Sequence, residues 1–338
     1  MKKIIGITIL ILLSQSICAQ TATIDSLQKV LKTAKEDAVK MNVLYELSEA
    51  SEETEDVLNY AQQSLSIAEK LRHKKGMAKA YNNIGYAYED MGKTNEAYEY
   101  YQKSIKLSQE SGDELGMAAP LMNCALILYN RGELIPALDN FNQSLKTYES
   151  NSDTAMQCIC LSNMALVYDA QGNANRALQC YFKILKLRDI TGDQQSNATC
   201  YNNMAGIYIA QNDYTSALSY LLKSLEISEA QQDFITMTTT LNNIGVTYYE
   251  IKDTLNAMKT YRRSLEICKQ TGDKYNTATV LNNIGNLHLS QNNLAEAKKH
   301  YIESSQISLT IGNKLMLSTI NANLGKTYLK EMNLVQAQ

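Results

Sequence analysis

The chain has no tryptophan, three phenylalanines and two prolines among its 338 residues. Proline breaks helix interiors, so a sequence this poor in it can run as helix nearly from end to end. Charge of one sign is also lacking: 32 basic residues stand against 35 acidic ones, a net −3. The strong basic bias of a nucleic-acid-binding surface is therefore missing, and no nucleic-acid partner is expected. After residue 20 no apolar run approaches the roughly 20 residues that a membrane-spanning helix needs. Histidine occurs three times, as His73, His288 and His300, isolated from one another in the sequence. No CxxC or histidine-rich spacing suggests a metal, and no glycine-rich phosphate loop follows a strand pattern. Catalysis finds no support, and neither cofactor nor metal is expected.

What is present begins with a leader. Lys2 and Lys3 precede an apolar stretch from Ile4 to Leu13, followed by Ser16-Ile17-Cys18-Ala19-Gln20. This reads as a secretory signal over residues 1–19, cut after Ala19, because the apolar stretch is too short to span a bilayer. Lipidation at Cys18 is an alternative that the bulky Ile17 disfavours; an uncleaved, cytoplasmic chain is another. The expected location is the periplasm or cell envelope. Export permits disulfides, but Cys124, Cys158, Cys160, Cys180, Cys200 and Cys268 fall within helical patterns, where they suit the role of small buried hydrophobes.

Self-comparison organises the rest. An offset of 40 aligns Asn83, Asn123, Asn163, Asn203, Asn243, Asn283 and Asn323 without a gap. Two residues on stand Gly85, Ala125, Ala165, Ala205, Gly245, Gly285 and Gly325. Then come Ala97, Ala137, Ala177, Ala217, Ala257, Ala297 and Ala337, with Tyr101, Phe141, Tyr181, Tyr261 and Tyr301 after them and Leu221 as the exception. Such phase over seven units specifies a solenoid. Within a unit, Tyr81, Ile84, Gly85 and Tyr88 make one face of a first helix, and Ala257, Tyr261, Ser264, Leu265 and Cys268 one face of a second. Gly92, Gly132 and Gly172 mark the turn inside a unit, with Asn173, Asp213, Asp253 and Asn293 as N-caps. Between units stand Gly112-Asp113, Gly192-Asp193 and Gly272-Asp273, and more weakly Ser152-Asp153, Gln232-Asp233 and Gly312-Asn313: a helix-ending glycine followed by a helix-capping acid. Pro136 falls in a first turn, where it is tolerated. Pro120 falls inside a first helix, so a kink or a late helix start is expected there.

A small residue at Gly85, an aromatic at Tyr88, glycine at Gly92, alanine at Ala97 and an aromatic at Tyr101 resemble the tetratricopeptide repeat. The usual period of that family is about 34; the spacing of 40, with Gly-Asp between units, is similar to a long-repeat subclass. The resemblance implies an all-α, right-handed superhelical solenoid of antiparallel helix pairs. Its parts would be a capping helix over 20–40 and seven pairs at about 41–72, 77–111, 117–151, 157–190, 197–230, 237–270 and 277–310, with a truncated eighth at 317–338. Such arrays mostly hold peptides or proteins.

The asparagines carry the functional expectation. At 100° per residue, Asn83 lies roughly 150° from the stripe of Tyr81, Ile84, Gly85 and Tyr88. The resemblance puts first helices along the concave groove, so Asn83, Asn123, Asn163, Asn203, Asn243, Asn283 and Asn323 would face it, flanked by Asn82, Asn202, Asn242 and Asn282. An amide both donates and accepts. The row can therefore grip the backbone of an extended peptide, or alternatively bond the neighbouring repeat and register the stack. The column Glu89, Tyr129, Asp169, Ile209, Tyr249, Leu289 and Leu329 grades from partly acidic to apolar, which favours a ligand with basic and apolar character.

The last residue, Gln338, falls inside the second helix of the truncated unit, which suggests a fragment. Exported arrays of this kind resemble the sensor regions of bacterial signalling proteins, where a membrane helix and an output domain come next; contact with a membrane is expected only through such a segment. The expectation is thus a non-enzymatic protein- or peptide-binding module, either the sensing part of a signalling protein or an assembly scaffold of the envelope.

Overall fold

In the computed structural model the described residues are 24–336, with side chains described through 333. The leader and Ala337 lie outside them. Two compact units, residues 1–173 and 174–338, divide the chain. The first holds α1 (24–33), α2 (Ala38–Ala50), α3 (Thr54–Lys70), α4 (Lys74–Asp90), α5 (Thr94–Glu110), α6 (Glu114–Asn130), α7 (Leu134–Ser150) and α8 (Thr154–Ala170). The second holds α9 (Ala174–Thr191), α10 (Asn197–Ala210), α11 (Tyr214–Gln231), α12 (Phe234–Glu250), α13 (Thr254–Thr271), α14 (Lys274–Ser290), α15 (Leu294–Thr310) and α16 (Lys314–Gln336). No strand occurs among the described residues.

The repeat of 40 is built from two halves of 20. Residues in the left-handed conformation recur as Arg72, Gly92, Gly112, Gly132, Ser152, Gly172, Gly192, Asn212, Gln232, Lys252, Gly272, Asn292 and Gly312. Each ends a helix, because a residue with positive φ turns the chain out of the helical path. The next residue then works twice. Its N–H donates to the carbonyl five residues back, as Lys93 does to Tyr88 at 2.8 Å and Asp113 to Ser108 at 2.9 Å. Its side chain caps the next helix: Asp113 accepts from the Gly116 N–H, Asp153 from Met156, Asp233 from Thr236 and Asp273 from Asn276. Asp213, Asp253 and Asn293 cap as their positions imply. His73, at the aspartate position, caps α4 through Nδ1, which accepts from the Gly76 N–H at 2.9 Å.

Lys93 and Glu133 return their N–H groups but make no side-chain cap, and two further places depart from the rhythm. Asp193 does not cap a helix, because the Ser196 hydroxyl takes its carboxylate at 2.7 Å. A 3-10 turn, Gln194–Ser196, replaces the first turn of α10, and the Arg188 guanidinium donates to the Ser196 carbonyl. In the last repeat α16 runs unbroken through Met332, where the register would place a left-handed residue. Pro120 is the seventh residue of α6, buried in its interior, so α6 does not start late; proline's missing N–H leaves the Gly116 carbonyl without its helical donor.

The α4–α5, α10–α11, α12–α13 and α14–α15 pairs close on a knob and socket. Tyr101, Tyr261 and Tyr301 are buried, and each ring covers a glycine on the facing helix, so that a Cβ on Gly85 would meet Tyr101 at 2.7 Å and one on Gly285 would meet Tyr301 at 2.6 Å. Where the socket is Ala205, the knob is the smaller Leu221, in one cluster with Ala217. A buried serine also pins helix pairs: Ser104 donates to the Ala78 carbonyl, Ser144 to Ala118, Ser264 to Thr238 and Ser304 to Ala278, at 2.6–3.0 Å. Each satisfies its hydroxyl on a helical carbonyl with a spare lone pair, so burial of the polar group is compensated. At the start of the chain, Leu31 of α1 packs on Met41, Leu44, Ile67 and Ala68.

In both units first helices touch first helices: α2–α4–α6–α8 in one, α10–α12–α14–α16 in the other. They form one continuous face per unit.

Three substitutions test the turn and socket. Gly285→Ala should destabilise by about 1–3 kcal/mol by pushing Tyr301 out of place. Gly206→Ala, where a Cβ meets nothing within 4 Å, should stabilise by about 0.5–1 kcal/mol. Lys252→Gly should stabilise by about 1 kcal/mol by relieving a left-handed lysine at φ 68°. Urea denaturation reads all three; equal effects of the two alanines would sink the socket argument.

Candidate functional site

The face shared by first helices carries the asparagine row. In the second unit the amides join repeat to repeat. Asn243 Nδ2 donates to Asn202 Oδ1 at 3.1 Å, Asn283 to Asn242 at 2.8 Å, and Asn323 to Asn282 at 3.1 Å. All six are half-buried, as is Asn203 beside Asn202. Every bond runs from the second asparagine of one repeat to the first asparagine of the repeat before, which is why the motif is a pair. A single asparagine cannot be both the donor to one neighbour and the acceptor from the other in this geometry.

In the first unit the chain of amides is interrupted. Asn83 is only 6% exposed and donates to the Ser48 hydroxyl on α2 at 3.3 Å, while Asn82 donates to Asn83 at 3.4 Å. Asn82 Oδ1 is buried without a partner. Asn123 on α6 and Asn163 on α8 are half-buried; the acceptor position before Asn163 is Met122, which cannot take an amide hydrogen in the way asparagine does.

Two depressions open on these faces. In the first unit one of about 500 Å³ is lined by Asn42, Tyr45, Lys75, Lys79, Asn82 and Leu115, from α2, α4 and α6. Lys79 Nζ sits 4.7 Å above the Tyr45 ring, and Lys75 lies 3.9 Å from Asp113. In the second unit one of about 400 Å³ is lined by Tyr249, Asn286, Leu289, Asn323, Lys326 and Lys330, from α12, α14 and α16. The row of amides thus opens into both: Asn82 in one, Asn323 in the other. Each amide bond uses one N–H and one lone pair, so every asparagine keeps further donor and acceptor capacity.

The sequence pattern does not reveal several contributors. Asn42 continues the column of Asn82 but lies before the aligned stretch. The lysines escape it because the column from Glu89 to Leu329 samples one position per repeat, whereas Lys75, Lys79, Lys326 and Lys330 occupy other turns of the same face. Glu89 itself accepts from the Tyr101 hydroxyl at 2.7 Å and so belongs partly to the knob. The faces are consequently more basic than that column implies.

A cavity of about 700 Å³ opens beside the late start of α10, between Leu185, Asp189, Gln195, Tyr201, Ile227 and Gln231, on walls that the amide row does not share. None of the described cysteines is in a disulfide, and all are buried. Burial raises the Cys124 thiol to about 12 and Cys180 to about 11, which suits packing and not nucleophilic chemistry. Among the described residues no group of three or more His, Cys, Asp or Glu side chains is placed to hold a metal, and no helix is long and apolar enough to cross a membrane.

A double-mutant cycle on Asn242→Ala and Asn283→Ala measures the bolt between repeats. Each single change should cost about 1 kcal/mol, with a coupling of about 0.5–1 kcal/mol. Additive losses in urea denaturation would show that the amide pair does not hold the repeats together.

The family model described as "Tetratricopeptide repeat" matches residues 76–150, 157–230 and 236–310, more than half of the chain. Among solved structures, the apo form of RapI superposes with a TM-score of 0.64 at 14% identity, over 81% of this chain and 99% of that one. A Rap protein complexed with competence and sporulation factor gives 0.53 at 15% identity, over 92% and 98%. A signal-transduction ATPase (STAND) with a tetratricopeptide repeat sensor from Pyrococcus horikoshii gives 0.57 at 16%, over 94% of this chain and 53% of that one. At these identities the likeness is one of fold. A search among curated proteins finds no match. With seven units in phase in the sequence, a knob-and-socket closure of four helix pairs and a family model matching most of the array, the chain belongs to the tetratricopeptide repeat family.

Proposed function

We propose that the chain binds an extended peptide or protein segment along its first-helix faces, and that it is the ligand-sensing part of an exported signalling protein. The observation that supports the binding reading best is the fixed row of amides. In the second unit, bonds between repeats hold the asparagines in one orientation before a ligand arrives, and Asn323 borders the depression there. Preorganisation of this kind lowers the ordering cost of binding. Adjacent first helices lie roughly 9–10 Å apart in packed helices, and an extended chain advances about 3.3 Å per residue. These two spacings give a backbone-reading contact at every third ligand residue. Lys75, Lys79, Lys326 and Lys330 add a preference for acidic side chains or a terminal carboxylate, beside apolar contacts at Tyr249 and Leu289.

The signalling part of the reading draws on different support. The leader pattern at residues 1–19 argues for export, and two of the similar folds bear on signalling by their descriptions: a tetratricopeptide repeat sensor, and a Rap protein bound to a factor. The assembly-scaffold alternative shares the same groove and differs only in having no signalling output.

Peptide selection tests the groove. A random extended-peptide library displayed on phage and selected on the whole chain should yield binders. Tyr249→Ala and Lys326→Ala should each weaken them by about tenfold or more, Lys326→Ala without lowering the melting temperature and Tyr249→Ala with a small loss because its ring also packs on the Tyr261 cluster. These positions are chosen because neither carries a bolt between repeats. Binders that ignore both substitutions would place the ligand elsewhere. Export is tested separately: expressed in a bacterium with an outer membrane, the chain should be recovered from the envelope beginning at Gln20, and recovery from the cytoplasm with Met1 intact would end that part of the proposal.

A further inference from the structure

Three hairpins of the array close their open edge with a pair of aromatic rings, one from each helix. Tyr88 of α4 stacks on Tyr100 of α5 at 5.1 Å between centroids, and Tyr208 of α10 on Tyr220 of α11 at 5.5 Å. At the same register in the second unit the pair is His288 of α14 and His300 of α15, parallel within 2° and 5.6 Å apart. The two histidines, isolated in the sequence, are therefore one feature in the fold. We propose that this imidazole pair makes the α14–α15 hairpin a pH-sensitive lock, closed when both rings are neutral and loosened when both take up protons.

The geometry gives the reason. Nδ1 of each ring is buried and has no hydrogen-bond partner. A neutral imidazole can leave a bare lone pair there, but a protonated ring has to put an N–H into the same place, where no acceptor stands. Stacked rings also bring two positive charges face to face. The charged groups around the pair do not offset this. His300 Nε2 lies 3.9 Å from Glu296 on its own helix, with Glu303 also near, and Lys299 holds Glu296 at 3.5 Å. Facing His288 are Glu296 and Lys299 from α15 and Arg262 from α13. One proton can be shared with Glu296; a second meets Arg262, Lys299 and the first imidazolium.

Burial holds His288 below the ordinary imidazole value, Glu296 opposes this, and Arg262 and Lys299 add to it. Burial and then the His288 charge do the same for His300. The unfolded chain therefore takes up protons more readily than the folded hairpin. The stability this pair contributes is fully present above the ordinary imidazole value of about 6.5 and is lost as pH falls below it. On the groove reading the lock has a consequence: Asn286, Leu289 and Ser290 on α14 line the depression of the second unit, so loosening α14 would release a ligand held there. Only that consequence rests on the groove reading; the lock itself does not.

The test needs no ligand. Replacing the pair by His288→Tyr and His300→Tyr restores the rings that two sister hairpins use, so the variant is expected to fold. Thermal unfolding of the whole chain is compared between about pH 7.5 and about pH 5.5. The wild-type midpoint should fall by several degrees more than that of the double variant. His73 is common to both proteins, so its contribution cancels in the difference. The imidazole C–H resonances of the wild type, followed by NMR, should titrate together and below that of an unfolded histidine peptide. Equal pH dependence of the two proteins, or ordinary titration of both rings, would overturn the lock. Loss of lock behaviour with peptide binding intact would leave the groove standing, and the reverse outcome would leave the lock standing.

Discussion

The array depends on one backbone constraint: the helix has to stop every twenty residues. From α3 to α15 a left-handed residue ends each helix, the next residue returns its N–H to the carbonyl five back, and in most turns the same residue caps the next helix. This coupling leaves no room for a linker, so within each unit consecutive helices fold against one another and the phase set by the turns is inherited by the side chains between them. The glycine under Tyr101 and the glycine under Tyr301 meet their rings because the turns fix the offset between socket and knob. The asparagines reach across repeats for the same reason. A single inserted residue in one helix would rotate its downstream face by about 100° and separate donors from acceptors in the amide row. Regularity of sequence is here a consequence of regularity in the turns.

Most of this was legible because it repeats. Seven alignments of Asn83, Gly85 and Ala97 specify the helix pair, the close approach and the family without reference to any contact. Left-handed positions were harder where glycine is absent. Arg72, Lys252 and Asn292 take the same conformation as Gly92 or Gly112, and only their place in the count of twenty betrays it. His73 hid in the same way, since an imidazole that caps through a lone pair resembles no capping motif in sequence. Ser104, Ser144, Ser264 and Ser304 read as part of an apolar stripe, which they are by burial; their hydrogen bonds to helical carbonyls are visible only once the helices are packed.

Sequence periodicity leaves open the direction in which each side chain directs its polarity. An asparagine opposite the core stripe has a neighbour repeat beside it and a groove in front of it, and helical angles do not separate the two. The bonds from Asn243 to Asn202 and from Asn283 to Asn242 place one part of each amide on the neighbour. Asn323 then shows that a bolted amide can still border a depression. The structural role explains why the asparagines come in pairs, and it leaves room in the same residue for the proposed binding role.

The same logic explains where the repeat is allowed to vary. Socket positions stay small across units and turn positions keep their left-handed conformation whatever their size, whereas rings at the open edge of a hairpin tolerate exchange between tyrosine and histidine because stacking needs only a flat partner. That tolerance carries chemistry with it. Tyrosine stays neutral through the range in which imidazole takes up a proton, so exchanging Tyr88–Tyr100 for His288–His300 preserves packing at neutral pH and adds a charge response at one hairpin of the array. The half-interrupted amide row in the first unit is its counterpart. Met122 and the unpartnered Asn82 oxygen interrupt the row there while the turns keep their phase. An array of near-identical units can thus place a different property in each, provided the twenty-residue beat is kept.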